Sequence, residues 1–338
     1  MQPKFETIDF LALDGFKCNL KHYSSNNPSK GPVLLVHGAG VRADIFCAPT
    51  EKNIVEMLAE EGYDVWLENW RASIDLEPNK WDLDQAARYD HPAAVKKVVE
   101  LTGAKEIKAI IHCQGSTSFM ISVVLGLVPE VTTIISNAVS LHPIVPRFSV
   151  FKSRFLVPIV KQFFEYINPQ WGINAPDFKS KLMRVAVLLT HPEKDTKVGK
   201  FVSFTYGSGF PALWLLENLD QRTMEWIKAE FANVPISFFE HIGICINQEV
   251  LVPNEQLINQ TYAPKGHQFS PKIILFAGMR NLCFLPQSQQ ATFDYLEECQ
   301  PGKHRLHLLD DYSHLDVFLG KDAHKEVFPK MIEELNRN

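Results

Sequence analysis

The segment Ile107-Lys-Ala-Ile-Ile-His-Cys-Gln-Gly-Ser116 decides the fold, because the predicted secondary structure changes within it. Its first five residues form a short apolar run that is typical of a buried strand. From Ser116 to Leu127 the chain is again apolar and opens with a serine, which predicts a helix that is entered sharply and capped by Ser116. Cys113 therefore falls on a tight turn between a strand and a helix.

The same alternation continues on both sides of this turn. Residues 5–13 and 16–23 alternate around Asp14-Gly15, which predicts a hairpin. Further strands are predicted at 32–36, 63–67, 131–135, 272–277 and 305–309, and further helices at 50–61, 92–102, 288–298 and 323–335. Near-continuous apolar strands that alternate with helices predict a mostly parallel central sheet with helices on both faces.

The alternation is interrupted between residues 146 and 265. This stretch has helical periodicity, many prolines and several aromatic residues, among them Phe148, Phe151, Phe155 and Phe163. We therefore expect an α/β core formed by residues 1–145 and 266–338, with a mainly helical cap or lid over 146–265. We expect the aromatic face to pack inward, the alternatives being that it lines an apolar pocket or rests on a membrane surface beside Lys152, Arg154 and Lys161.

The composition excludes several classes of protein. The 338 residues carry 34 Lys and Arg against 39 Asp and Glu, so no basic surface for nucleic acid is expected. No secretory signal or spanning segment is visible, and the six cysteines are scattered, which favours reduced thiols in a cytoplasmic protein. We expect no metal and no cofactor, because no clustered set of metal ligands is present.

The turn at Cys113 has the position of a nucleophile elbow. In α/β-hydrolases this strand-to-helix turn usually reads G-x-S-x-G. Here Ile111 replaces the first glycine and Cys113 the serine, whereas Gly115 is kept. The segment His37-Gly-Ala-Gly40 follows an earlier strand, where this fold places its oxyanion loop. We expect the backbone N–H groups of Ala39 and Gln114 to form the oxyanion hole.

The base and its partner are sought after the last two strands. His314 follows the strand 305–309, and Asn281 follows the strand 272–277 in the position of the usual acid. No Asp or Glu occurs between Pro271 and Phe293, so Asn281 is the predicted partner of His314. A carboxylate near His314, from Asp310, Asp311 or Asp316, is the alternative. A thiol is acidic enough that a neutral amide can suffice to orient the histidine.

The chain resembles α/β-hydrolases of the acid-lipase-like kind. It is most similar to the hydrolase domain found alone or fused behind cholesterol-oxidase-like flavoproteins. The resemblance rests on segments 35–41, 63–71, 112–116, 204–207, 217–219, 233–239 and 312–320, which span most of the chain. It implies a hydrolase for esters of apolar molecules, such as acyl or sterol-like esters, in which the insertion is a lid.

These observations lead to a hypothesis and two alternatives. We expect Cys113 to attack an ester, thioester or lactone and form a thioacyl-enzyme, with His314 as the base and Asn281 orienting it. We assign substrate contacts to Gly38, Gly40, Trp70, Phe204, Tyr206 and Trp214. The alternatives are an acyltransferase that uses the same intermediate and a catalytically silent homologue that binds an apolar ligand. The oligomeric state stays open.

Overall fold

The computed structural model describes residues 5–23, 28–191, 194–208, 212–255 and 260–337. Its central sheet has eight strands in the order β1-β2-β4-β3-β5-β6-β9-β10. The strands are β1 (Phe5–Leu11), β2 (Lys17–Tyr23), β3 (Pro32–Val36), β4 (Asp64–Asn69), β5 (Ile107–His112), β6 (Val131–Asn137), β9 (Lys272–Gly278) and β10 (Arg305–Leu309). A separate antiparallel pair joins β7 (Tyr166–Ile167) to β8 (Val234–Pro235).

The sheet is parallel except at one edge. β1 and β2 form the predicted antiparallel hairpin, and β2 continues antiparallel onto β4. All the other neighbouring pairs, from β4 to β10, run parallel. The carboxyl ends of β3, β5 and β9 therefore meet at one edge of the sheet, which is where open α/β sheets bind ligands. The predicted α/β fold with a mostly parallel sheet is confirmed.

Helices pack on this sheet and form most of the insertion between β6 and β9. The α-helices are α1 (Ile54–Glu60), α2 (Leu83–Gln85), α3 (His91–Thr102), α4 (Cys113–Val124), α5 (Arg147–Phe151), α6 (Val157–Val160), α7 (Phe178–Thr190), α8 (Lys197–Tyr206), α9 (Gln221–Trp226), α10 (Ile236–Gln248), α11 (Gln287–Cys299), α12 (Asp316–Leu319), α13 (Ala323–Glu326) and α14 (Phe328–Asn336). A π-helical turn, Lys152–Leu156, connects α5 to α6. Within the described ranges, no helix combines the length and hydropathy that crossing a bilayer requires.

Three predicted helices differ from the observed ones. α4 begins at Cys113 directly after the strand, so Ser116 does not cap it; the Ser116 hydroxyl bonds the Val139 carbonyl at 2.6 Å instead. α1 begins later than predicted, where Asn53 provides a capping box with Glu56. The closing segment 323–335 is divided into α13 and α14, because Pro329 lies in the first turn of the second helix and removes a backbone donor there.

Buried polar pairs fix the elements behind the elbow. Glu68 and Ser118 lie at 3.0 Å and 2.7 Å from the two nitrogens of His91, which ties β4 and α3 to α4. The three side chains are connected carboxylate to histidine to serine, as in a catalytic triad. All three are fully buried, so they hold the core together. Arg71 binds Asp90 at 2.6 Å beside them. The motif 63–71 therefore contributes to the framework of the fold.

Candidate active site

The elbow geometry at Cys113 is present in the structure. Cys113 follows β5 and opens α4 with a φ of 56°. This is a left-handed conformation that residues other than glycine rarely adopt. A Cβ on Gly115 would lie 2.2 Å from the His37 carbonyl oxygen. The glycine kept at this position is therefore required by the close approach of the helix to the loop after β3.

The glycine-rich loop after β3 lies directly over the nucleophile position. A Cβ on Gly38 would be 2.9 Å from Cys113 Cβ and 3.2 Å from its Sγ. Tyr206 donates its hydroxyl to the Ala39 carbonyl at 3.2 Å, and a Cβ on Gly40 would meet that hydroxyl at 2.3 Å. The predicted oxyanion loop thus adjoins Cys113, and an aromatic residue of the insertion fastens it.

The Cys113 thiol lies in an environment that favours the thiolate. Burial raises the pKa of this thiol, but a hydrogen bond from Cys283, the His314 ring and the Gln114 backbone N–H outweigh burial. Together they hold the pKa of Cys113 well below its usual range. The N-terminus of α4 adds its positive dipole at the same place. These contacts favour the ionised sulfur, which is the form that a cysteine nucleophile requires.

Cys283 is a site residue that the sequence analysis missed. It follows Asn281 in the loop after β9, and its thiol is buried against Cys113. Burial and the neighbouring charge of Cys113 raise the pKa of Cys283 well above its usual range, so it keeps its hydrogen. Its spacing from Cys113 gives no sequence signal, because the contact depends on two loops that meet at the edge of the sheet.

His314 and Asn281 meet as the chain order predicts. His314 Nδ1 lies 3.1 Å from Asn281 Nδ2, and both side chains are buried. Asn281 Oδ1 accepts the backbone N–H of Cys283 at 2.9 Å and that of Phe284 at 3.1 Å. The amide is therefore held at both ends, with its nitrogen towards the histidine.

Of the alternative carboxylates, Asp310 and Asp311 are exposed, and Asp316 has other partners. Asp316 accepts the Ser313 N–H at 2.8 Å and the side-chain amide of Asn218 at 2.7 Å. Burial raises the pKa of Asp316 to about 6, although these hydrogen bonds act in the opposite direction. Of the two alternatives, the structure therefore places Asn281, and not Asp316, against His314 Nδ1.

His112 lies beside the site. Its ring centroid is 4.8 Å from that of His314. One atom each of His112, Cys113 and His314 lie within 4.8 Å of one another, a donor set that resembles a zinc site. Metal-bound histidines give their second N–H to an acceptor, whereas Asn137 Nδ2 faces His112 Nδ1 at 3.0 Å. This trio therefore does not fit a metal.

A second trio, Asp82, Asp84 and His241, has metal-ligand spacing at a distance from the elbow. Both nitrogens of His241 are engaged, one by the Leu83 N–H at 3.2 Å and the other by the Val252 carbonyl at 2.8 Å. Both ring nitrogens of His241 are therefore used in hydrogen bonds within the protein. The absence of a bound metal stays a prediction.

A cavity of about 80 Å³ opens beside Cys113 and Gln114. Most of its walls come from the insertion, with Phe239 and Ile242 as apolar examples. A neighbouring cavity of about 60 Å³ shares Lys152 and Phe239 with it and adds Phe204. The nucleophile candidate therefore faces a small, mainly apolar chamber.

The predicted substrate contacts divide into two groups. Tyr206 lines the chamber, Phe204 lines its neighbour, and Gly38 and Gly40 shape the loop above Cys113. Trp70 is fully buried and donates its indole N–H to the His37 carbonyl at 2.9 Å. Trp214 is buried in the core with Phe231 and is not part of the lining. The last two residues support the site from behind.

Lys152 also differs from the prediction. Instead of facing a surface, its ammonium donates to the carbonyls of Phe204, at 2.6 Å, and Gly207 at the end of α8. Burial lowers the pKa of Lys152 to about 8. The buried hydroxyls of Ser149 and Thr205 lie in the same wall and have no hydrogen-bond partner among the described residues. One side of the chamber is therefore polar.

The aromatic face of the first insertion helices is exposed. Phe148, Phe151, Phe155 and Phe163 expose between 46% and 56% of their surface, and Ile159 exposes 57%. The expectation that this face packs inward is wrong. The inward side is taken by Ser149, Lys152, Ser153 and Val157, which line the chamber.

Comparison with known proteins shows the family to which the chain belongs. No family model matches the chain. Human lipase member K is 32% identical over 358 residues, which cover 97% of this chain and 86% of that protein. The chain belongs to the lipase family of α/β-hydrolases. Sterol esterase 2 of Saccharomyces cerevisiae is 23% identical and covers 98% of the chain, and 69% of that protein is matched.

Solved structures show the same fold for this lipase-family chain. A soluble variant of the monoglyceride lipase of Saccharomyces cerevisiae, in complex with a substrate analogue, superposes with a TM-score of 0.63 and 16% identity over 99% of this chain and 96% of that one. DcsB, solved with its substrate analogue, gives a TM-score of 0.61 and 14% identity over 98% and 99%. The α/β-hydrolase fold and the lipase-like resemblance are thereby confirmed.

Proposed function

We propose that this protein cleaves acyl esters or thioesters of apolar compounds with Cys113 as the nucleophile. The observation that carries the proposal is the Cys113 thiol on its left-handed elbow, in contact with His314 and Gln114 and with a lowered pKa. The thiolate attacks the carbonyl carbon, the leaving group departs, and a thioacyl-enzyme remains. Membership of the lipase family supports an ester-type substrate.

The oxyanion of the tetrahedral intermediate is held by backbone donors in this proposal. The Gln114 N–H already faces the Cys113 sulfur, and Ala39 lies in the loop that Tyr206 fastens. Each backbone donor of this kind typically stabilises the transition state by about 3 kcal/mol. His314, which contacts the sulfur, and Asn281, whose amide nitrogen lies 3.1 Å from His314 Nδ1, are the proposed partners of Cys113 in this site.

The substrate class comes from the chamber and the relatives. A cavity needs roughly 10–15 Å³ of this kind of volume to hold one water molecule, so a chamber of about 80 Å³ accommodates a group of several heavy atoms. The names of the relatives, a sterol esterase and a lipase, point to larger esters. An ester of that size does not fit the chamber, so its binding requires the insertion to move. We propose residues 146–265 as this cap on the core 1–145 and 266–338, because the insertion forms most of the chamber wall.

Contact with a lipid surface is part of the proposal. The exposed aromatic face over Phe148–Phe163 lies on the outer side of the same helices whose inner side lines the chamber. Aromatic residues at a lipid boundary bury apolar area without inserting a spanning helix. Such a contact would present ester substrates to the cap.

The nucleophile can be tested with p-nitrophenyl acetate, butyrate and octanoate. We expect an initial burst and an acyl adduct on Cys113, seen by intact mass, in the wild type. The Cys113→Ala variant should show neither, and the matched control Cys299→Ala, at the end of α11, should behave as the wild type. Adduct formation in Cys113→Ala, or none in the wild type with any ester or thioester, would contradict the proposal.

A further inference from the structure

The orientation of the Asn281 amide decides where His314 carries its proton. Asn281 Oδ1 accepts two backbone N–H groups, from Cys283 and Phe284. Turning the amide over would set its NH₂ group against these two buried donors and leave them unpaired. The NH₂ end therefore stays at 3.1 Å from His314 Nδ1.

An NH₂ group only donates hydrogen bonds, so His314 Nδ1 must accept. The neutral ring then has its hydrogen on Nε2, the nitrogen left to face Cys113. A carboxylate in this position does the opposite, because it accepts the Nδ1–H and leaves Nε2 free as a base. In serine proteases, Asn in place of that Asp leaves the geometry intact and lowers turnover about 10⁴-fold, because the tautomer is wrong.

We propose that Asn281 is a positioning residue that fixes His314 as the Nε2–H tautomer and makes this a thioester-selective acyl-transfer site. Cys113 takes an acyl group from a thioester, and a thiol removes it more readily than water does. This inference rests on the proposed function of Cys113 as the nucleophile. It specifies the leaving group and the acceptor.

The acylation step needs no proton transfer when the substrate is a thioester. The Cys113 thiolate attacks the carbonyl carbon, the C–S bond forms, and the carbonyl electron pair moves to oxygen. When the intermediate collapses, the bond to the substrate sulfur breaks and that sulfur leaves as a thiolate with the electron pair. An alcohol would leave as an alkoxide, a much stronger base, and the neutral His314 ring is a poor acid for protonating it.

The deacylation step separates thiols from water for the same reason. Water needs a base to attack the thioacyl-enzyme, and His314 Nε2 has no free lone pair in this tautomer. An acceptor thiolate attacks directly, forms the new C–S bond, and returns the electron pair to Cys113 as a thiolate. The Cys283 thiol and the Gln114 N–H, which lower the pKa of Cys113, stabilise this returning charge.

The test compares two substrates that differ in one atom, S-butyryl-N-acetylcysteamine and O-butyryl-N-acetylethanolamine. Rapid quenching and intact mass would follow the adduct on Cys113. We expect the thioester to acylate the wild type about tenfold faster or more, and added N-acetylcysteamine to remove the adduct about tenfold faster or more than water alone. The Asn281→Asp variant should lose its adduct to water about tenfold faster or more, because the carboxylate accepts the Nδ1–H and leaves Nε2 free as a base.

The exposed Asn174 gives the matched control, since Asn174→Asp introduces the same charge away from the site and should behave as the wild type. An adduct that water removes equally fast in wild type and Asn281→Asp would overturn this inference and leave the nucleophile in place. No adduct on Cys113 in any variant would overturn the proposed function and the inference with it.

A spectroscopic measurement covers the case in which Asn281→Asp does not fold. In ¹⁵N-histidine-labelled wild type, the His314 signals, assigned by their loss in His314→Gln, should show a protonated Nε2 and an unprotonated Nδ1. A proton on Nδ1 would overturn the inference directly.

Discussion

Two sulfur atoms in contact shift each other's pKa in opposite directions. Cys283 has one thiol hydrogen, and the Tyr206 carbonyl oxygen, 3.2 Å from its Sγ, is within reach as an acceptor. A charged acceptor forms the stronger hydrogen bond. Once Cys113 is ionised, its thiolate therefore accepts the hydrogen bond from the Cys283 thiol. Cys283 thereby lowers the pKa of Cys113, and the charge of Cys113 raises that of Cys283.

This coupling predicts the effect of Cys283→Ala. The variant should raise the pKa of Cys113, because a hydrogen bond to the charged form is lost. Iodoacetamide alkylates the thiolate, so the pH dependence of the alkylation rate of Cys113 reports that pKa. The rate would be measured by peptide mass between about pH 5 and pH 10, which covers the range over which thiols titrate. Cys299→Ala should leave the midpoint unchanged, and an unchanged midpoint in Cys283→Ala would refute the coupling.

At the level of secondary-structure elements, the first insertion helices have the opposite orientation to that predicted from their aromatic residues. Their inner side consists of the smaller or polar residues Ser149, Lys152, Ser153 and Val157, which recur at helical spacing. Hydrophobicity alone favours burying the phenylalanines. In these helices the side that lines the chamber carries the smaller or polar residues, and the phenylalanine rings lie outside.

The exposed rings predict a loss of vesicle binding on substitution. Phe151→Glu combined with Phe155→Glu should abolish flotation with neutral phosphatidylcholine vesicles, because two half-exposed rings are replaced by charges. The control Leu11→Glu changes a side chain with 61% exposure at the end of β1 and should leave flotation intact. Equal flotation of both variants and the wild type would show that this face does not contact lipid.

At the level of the whole molecule, buried titratable groups predict the pH dependence of stability. Burial lowers the pKa of His37 to about 3 and those of His142 and His304 to about 4. Unfolded histidine titrates near pH 6.5, so below this pH the unfolded chain binds more protons and is favoured. Asp316, with its raised pKa of about 6, acts in the opposite direction between about pH 6 and pH 4.

Burial also lowers the pKa values of His112 and His267, which act with these three histidines, and raises the pKa of Glu68, which acts with Asp316. The five histidines outnumber the two carboxylates in this balance. The free energy of unfolding, measured in urea at several pH values, should therefore fall from about pH 6.5 to about pH 4. His142→Gln, which removes one of these groups beside Thr292, should make the slope shallower. A free energy that stays level or rises on acidification would contradict this assignment.

The sequence was sufficient for the order of the core elements and for the elbow. Each predicted strand matches an observed one within a few residues, because buried parallel strands form continuous apolar runs. The positions of Asn281 and His314 after the last two strands, with no Asp or Glu between Pro271 and Phe293, also predicted their contact, with a carboxylate near His314 as the alternative. The contact of Cys283 with Cys113 and the inward turn of Lys152 have no local pattern, since both depend on how loops and cap helices meet over the sheet.

The fixed Asn281 amide has a consequence for how such a site can evolve. In the proposed mechanism, replacing Cys113 by serine while Asn281 remains gives a hydroxyl with no base to ionise it. Replacing Asn281 by aspartate while Cys113 remains gives an acyl-enzyme that water hydrolyses. Each single step loses the function that the pair supports, so the two positions are epistatic, and descendants are expected to keep both residues or to exchange both.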